Sequence, residues 1–304
     1  MNINQLKYVI EVSSASSMRE ASRKLYISQP ALSNSIKELE DELGILIFER
    51  TNKGISVTEE GRDFIDYAKK AVSQYEILED RYLDKDVNRE HFSVSVQHYN
   101  FAINAFTNMI KDSKLDKYTF SIRETRTREV LEDVRSFKSE VGIVSFSGSN
   151  EEVLKKLLKD YELTFTPLMK RDTYVYVWEN HPYANKKIVS IDDMKDYPCV
   201  SFDQSDNSSF YLSEEAMGDY EFDKLIKSDD RATTLEIIAR LNGYAIGCGM
   251  LSDEDAILKG MVAIKLKEQD PLTIGYITRK GRDNSIYGKA YIEELLKYKE
   301  SGDN

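Results

Sequence analysis

The side chains best suited to chemistry lie between Ser28 and Lys53, and that chemistry is the reading of nucleic acid. If this stretch begins as a helix, Gln29, Ser33 and Asn34 project outward from its first turns, with Lys37 one turn further on and Ser28 and Pro30 at its start. Gln and Asn bond adenine at two points, Ser adapts to several partners, and Lys meets guanine or phosphate. Charge is segregated along the same stretch. Ser17 to Lys37 carries net +3, whereas Glu38 to Glu49 holds five acids and no base. A phosphate-facing front with an acid-rich rear orients a small domain on a duplex. Arg50 precedes a tight-turn sequence, Asn52-Lys53-Gly54, and Arg50 and Lys53 would add backbone or minor-groove contacts.

Such residues need a rigid mount, and the local signals describe one. Ser17 can cap a short helix, with Glu20 completing a capping box, and Ala21 and Leu25 form a buried stripe. The pattern breaks at Tyr26-Ile27. Ser28 is a good N-cap for the next helix, and Pro30 sits in its first turn, where a missing N–H costs little. Leu32, Ile36, Leu39 and Leu43 give that helix one apolar face, and Gly44 suits a left-handed cap. A leading helix is expected over Ile3–Ser13, with Leu6, Val9 and Ile10 facing the same core. Two short helices, a polar turn and a basic hairpin make a winged helix-turn-helix, which places one helix in the major groove of DNA. The bland alternative is a purely structural helix pair.

A long helix is expected from Thr58 to about Tyr82, with Glu59 and Glu60 favourable to its dipole. Ile65, Ala68, Val72, Tyr75 and Tyr82 keep near-heptad spacing, with Phe64, Ala71 and Leu78 alongside. Two copies packed together would cover that stripe, so the helix predicts a homo-oligomer. The alternative is a helix resting on its own C-terminal domain. Residues 85–90 read as a hinge. Beyond His91 strands and helices alternate: Phe92–Val96, Thr119–Arg123, a helical stripe of Val130, Leu131, Val134 and Phe137, then Val141–Val144. That is a βαβαβ opening and predicts a largely parallel sheet. Further strands are expected at Thr173–Trp178, Cys199–Phe202, Tyr244–Gly247 and Leu272–Thr278, and helices at Thr234–Leu241, capped by Thr233 with Glu236, and at Ser285–Lys299.

Other chemistries lack their residues. The three histidines are scattered without metal-ligand spacing, no phosphate-cradling glycine loop is present, and no Gly-x-Ser-x-Gly elbow occurs. The expectation is therefore no enzyme, no cofactor and no metal. Two cysteines, Cys199 and Cys248, argue against a disulfide framework and leave a redox sensor as an alternative. With 304 residues two domains are expected, and no signal peptide or membrane-spanning run is read, consistent with the cytoplasm. Net charge is −11, but residues 1–62 carry eight bases against nine acids, so the acidity lies outside the reader. Weak non-specific DNA binding, and a need for dimerisation, follow.

The N-terminal segment resembles the LysR-type transcriptional regulators. The matching residues are Ala21 and Leu25, Ser28-Gln29-Pro30-Ala31-Leu32-Ser33, Ile36, Leu39-Glu40, Leu43-Gly44, Leu46, Phe48, Arg50 and Thr58-Glu59-Glu60-Gly61. Asn34 departs from the basic residue that many members carry. Further markers, Glu140–Val144, His181-Pro182, Tyr197–Val200 and Leu241–Gly247, resemble the effector-binding domain of that family, whose fold is shared with type 2 periplasmic solute-binding proteins. An exported solute-binding protein is the alternative from another class. The resemblance implies an α/β chain with an all-α, winged-helix N-terminal domain: residues 1–58 a winged helix-turn-helix, 59–88 a linker and dimerisation helix with hinge, and 89–304 a two-lobed effector-binding domain. Chain crossings are expected near Thr166 and Leu266, giving lobes of 91–165 plus 268–304 and of 166–267. It implies a homodimer or homotetramer bound to a dyad-symmetric double-stranded operator, with a small-molecule effector between the lobes.

In such sheets ligands sit beyond the carboxyl ends of strands, near helix N-termini. That position selects His98, Tyr99 and Asn100, then Glu124 and Thr125, then Ser145, Phe146 and Ser147. From the second lobe it selects Phe202, Asp203 and Gln204, Arg231 and Thr233, and Cys248 and Gly249. Arg231 or His98 would suit an organic anion, whereas Glu124 and Asp203 equally suit a cationic or zwitterionic ligand.

Overall fold

The computed structural model describes residues 1–51, 54–82, 89–204, 212–218, 220–251 and 258–300. These fall into two compact units, Met1–Val87 and Asn88–Asn304.

In the first unit three helices, α1 (Ile3–Ser14), α2 (Met18–Lys24) and α3 (Gln29–Leu43), precede a hairpin of β1 (Phe48–Thr51) and β2 (Gly54–Val57) and a long helix, α4 (Glu59–Tyr82). Caps set the boundaries. Asn2 and Gln5 form a reciprocal capping box on α1, Ser17 accepts from the Glu20 amide, and Ser28 accepts from the Ala31 amide. Gly44 ends α3 at φ 70°, where a side chain would be strained. The Glu20 carboxylate bonds the amide and hydroxyl of Ser16 rather than completing a box with Ser17. Val9, Val12, Ala21, Leu32, Ile36, Leu39, Ile47 and Phe48 form the core of this unit.

Two of the expected packings differ in the structure. Leu6 and Ile10 do not share Val9's core; they pack with Ala68 and Val72 of α4. Ile65, Ala68 and Val72 are therefore buried within their own chain. Among its described side chains, the apolar groups that α4 leaves exposed are Tyr67, Ala71, Tyr75 and Leu78. The start of α4 is pinned to the wing: the Thr58 hydroxyl donates to Leu46 O at 2.6 Å and accepts from the Gly61 amide at 2.8 Å. A Cβ on Gly61 would lie 2.2 Å from Ile47 O, so this close approach requires glycine.

The second unit runs β3 (Glu90–Val96), α5 (Asn100–Ser113), β4 (Tyr118–Glu124), α6 (Thr127–Arg135), β5 (Val141–Phe146), α7 (Glu151–Asp160), β6 (Leu163–Arg171), β7 (Tyr174–Trp178), β8 (Ile188–Val189), β9 (Cys199–Phe202), β10 (Leu225–Ser228), α8 (Arg231–Leu241), β11 (Ala245–Gly247), β12 (Met261–Leu266), β13 (Leu272–Arg279) and α9 (Ile286–Glu300). The first sheet has the order β4-β3-β5-β13-β6. Its opening three strands are parallel, as βαβαβ requires, but β13 lies antiparallel between β5 and β6, so the sheet is mixed. Every residue of β5 is buried, the pattern of a central strand covered on both faces. Ile143 faces the cluster with α5 and α9, while Val144 faces the cluster with α6 and α7.

The second lobe pairs β11-β7-β12-β8 and β9-β10, joined by a bridge between Cys199 and Tyr244. Because β6 pairs with β13 through Arg171, the chain leaves the first sheet there, beyond the expected crossing at Thr166; it returns after Leu266. The α8 cap is Asp230, which accepts from the Thr233 amide, so α8 begins three residues before the expected start at Thr234. Phe137 is not on the α6 stripe. It follows the helix at φ 64°, partly exposed, with the Arg279 guanidinium 3.2 Å from its ring centroid.

Candidate functional site

The candidate reading face is exposed by burial of the opposite face of α3. Leu32, Ile36 and Leu39 turn α3 inward, leaving Gln29, Pro30, Asn34 and Lys37 exposed and Ser33 half-buried. Ser28 is also exposed, with its hydroxyl committed to the cap. The wing is tied to this helix by Glu40, whose Oε1 accepts from the Ile47 and Phe48 amides at 2.8 and 3.0 Å. Tyr26, not selected from the sequence, stands in the turn between α2 and α3 at φ 55° and is 96% exposed. The Arg50 side chain, and Lys53 entirely, lie outside the described residues.

Between the two lobes lies a cavity of about 500 Å³. From the first lobe His98, Tyr99, Asn100 and Arg171 line it; from the second come Tyr176, Phe202, Glu214, Glu215, Arg231 and the segment Ala245–Leu251. Much of the wall is apolar, including Leu235, Ile238, Ile246, Met261 and Leu272. His98 stacks flat on Phe202, with centroids 3.5 Å apart, and its Nδ1 lies 2.6 Å from Glu214 Oε1. Burial opposes charge on this imidazole, but the Glu214 carboxylate outweighs it, so the His98 pKa is raised. Glu215 accepts from the Phe202 amide at 2.7 Å, and its pKa is pushed up to about 7 by burial and by Glu214. The Tyr99 hydroxyl donates to Ser145 Oγ.

Of the residues selected from the sequence, His98, Tyr99, Asn100, Phe202, Arg231, Cys248 and Gly249 line the cavity. The others do different work. Glu124 pairs with Arg231, Asp203 O accepts from Arg126 Nε at 2.8 Å, and Gln204 Oε1 accepts from the Thr127 amide. Glu124, Asp203 and Gln204 thus form a clasp between the lobes. Thr125 bonds Glu129, Phe146 packs on Phe165, Ser147 bonds Ser149 and Asn150, and the Thr233 amide serves the α8 cap; none of the four lines the cavity.

Sequence reasoning missed Arg171, Tyr176, Glu214 and Glu215. The adjacent carboxyls of Ser213-Glu214-Glu215 were the one available signal. The segment 212–217 carrying them is strapped onto the first lobe: Thr127 Oγ1 donates to Leu212 O, Asn150 Nδ2 to Ser213 O and Ser145 Oγ to Glu214 O, while the Met217 amide donates to Asp270. Both cysteines are buried and unbridged, and burial pushes both thiols up, which disfavours the reactive thiolate. Among the described residues no His, Cys, Asp or Glu cluster could hold a metal, and no helix is long and apolar enough to cross a membrane.

A winged helix-turn-helix followed by a two-lobed α/β domain with a cavity between its lobes defines a ligand-responsive DNA-binding regulator. The chain belongs to the LysR family: residues 3–62 match the bacterial regulatory helix-turn-helix proteins of that family, and residues 116–299 match the LysR substrate binding domain. It is 24% identical over 293 residues to the DNA-binding transcriptional dual regulator OxyR of Escherichia coli, covering 92% of this chain and 90% of that protein. It is 28% identical over 211 residues to the HTH-type transcriptional regulator CysB of Burkholderia cenocepacia, covering 67% and 64%. Its fold is similar to that of CbnR, a LysR family transcriptional regulator, with a TM-score of 0.63 and 16% identity over 98% of this chain and 99% of that one. It matches CbnR complexed with its target DNA equally well. The protein is a DNA-binding transcriptional regulator whose C-terminal domain takes a small-molecule effector.

Proposed function

We propose that the α3 face of Ser28, Gln29, Pro30, Ser33, Asn34 and Lys37 reads the operator, with Arg50 and Lys53 holding the phosphate backbone, and that the interlobe cavity takes the effector. The observation carrying this reading is the largely apolar cavity whose walls come from both lobes. A ligand touching both lobes favours their closed arrangement, and a preference of about 1–3 kcal/mol is enough to change how paired readers engage or bend DNA. The reader (1–58), linker helix (59–88) and effector domain (89–304) are three working parts, and two or four subunits place paired readers on a dyad-symmetric site. Action is in the cytoplasm, without catalysis or cofactor.

Operator selection from a random DNA pool, followed by gel shift, tests the reading face. Ser33→Ala and Asn34→Ala are expected to weaken binding to the selected site by about 1–3 kcal/mol each, with little change on random DNA. Lys53→Ala is expected to weaken both alike. Equal affinity of all variants for the selected site would sink the assignment.

A further inference from the structure

The cavity floor carries an unanswered acceptor. Among the described residues, the buried side-chain polar atoms without a hydrogen-bond partner include Glu214 Oε2, and it alone belongs to a residue lining the cavity. Glu214 is 5% exposed. Its other oxygen holds His98, and Glu215 stands beside it. The cationic groups of the same wall are already engaged: Arg231 by Glu124, His98 by Glu214, and Arg171 also has a partner. A buried acceptor without a donor is an unfavourable group that a ligand donor relieves, the more so if that donor is charged. The surrounding surface of Tyr99, Phe202, Leu235, Ile238 and Met250 is apolar and suits a hydrocarbon or aromatic body.

We infer that the effector presents a protonated nitrogen, carried on an apolar body, to the Glu214 carboxylate. This rests on the cavity's being the effector site and names the ligand's chemistry there. An amine and an amino-acid zwitterion share that group. The first turn of α5, whose N-cap makes no side-chain bond, lies on the same wall and could receive a zwitterion's carboxylate. Because the Glu214 carbonyl is held by Ser145 of the other lobe, a cation bound here stiffens the contact between lobes.

The test is calorimetric titration and thermal denaturation of the full chain with 2-phenylethylammonium, phenylalanine and 3-phenylpropionate, repeated on Glu214→Gln. Binding by one or both nitrogen cations, weakened at least about tenfold in Glu214→Gln, is expected. Binding by the amine alone identifies a simple cation, and binding by phenylalanine alone a zwitterion. An unchanged melting temperature of ligand-free Glu214→Gln checks that the loss is not general disruption of the strap. Binding by phenylpropionate alone overturns the inference while leaving an effector cavity in place. Cation binding indifferent to Glu214, or no binding by any probe, also overturns it, and the operator gel shift separately reports whether the regulator reading stands.

Discussion

The Glu215 carboxyl is raised from 4.5 to about 7, by burial first and by Glu214 second. An unfolded chain releases this proton near 4.5, whereas the folded chain keeps it to about 7. The resulting stabilisation is full below 4.5 and drains away as pH rises through 7. His98 acts in the same direction: its raised pKa stabilises the fold below the unfolded value of 6.5 and ceases to do so as pH passes the folded one. Melting temperature followed across this range should therefore fall less steeply in Glu215→Gln than in the parent; equal slopes would show that Glu215 is not the group titrating. Replacing Cys199 and Cys248 by serine should leave any peroxide response of operator binding unchanged, since both thiols are buried and held protonated. At this scale the sequence disclosed residues whose neighbours are local. Gln29 and Asn34 share a helix capped by Ser28, and that placement was readable from spacing. Glu214 was not, because its partner His98 is 116 residues away.

Elements are fixed by contacts that a repeat pattern records only partly. The α4 stripe has the spacing of a helix seeking a partner, but spacing does not say which partner. Ile65, Ala68 and Val72 are taken by the reader's own core, and the exposed Tyr67, Ala71 and Leu78 form the surface we propose for a second copy. Leu78→Glu should shift sedimentation toward monomer without lowering the melting temperature of the reader. Glu40 joins α3 to the wing, and Glu40→Ala, which leaves the Ile47 and Phe48 amides without that acceptor, should destabilise the first unit by about 1–3 kcal/mol in denaturant unfolding. Strand and helix signals with strong periods, such as Val141–Val144 and Leu32 to Leu43, were legible. The crossing at Arg171 was not, because β6 is held in the first sheet by β13, about a hundred residues later.

For the molecule as a whole, the relevant quantity is how firmly the two lobes hold each other around the cavity. The clasp of Glu124–Arg231, Arg126–Asp203 and Thr127–Gln204 favours closure without ligand. Arg231→Ala should loosen it, raising amide hydrogen exchange in α6 and β9 together; a change confined to α8 would show that the pair is only local. The two-lobed design was legible as a resemblance, whereas the clasp and the strap, made by loops meeting across the cleft, left no period to read. The strap is seated mainly through the carbonyls of Leu212, Ser213 and Glu214 rather than through their side chains. The seat made by the Glu214 carbonyl therefore does not depend on which side chain stands there, so descendants of this scaffold could acquire a taste for new metabolites without rebuilding the contact between lobes.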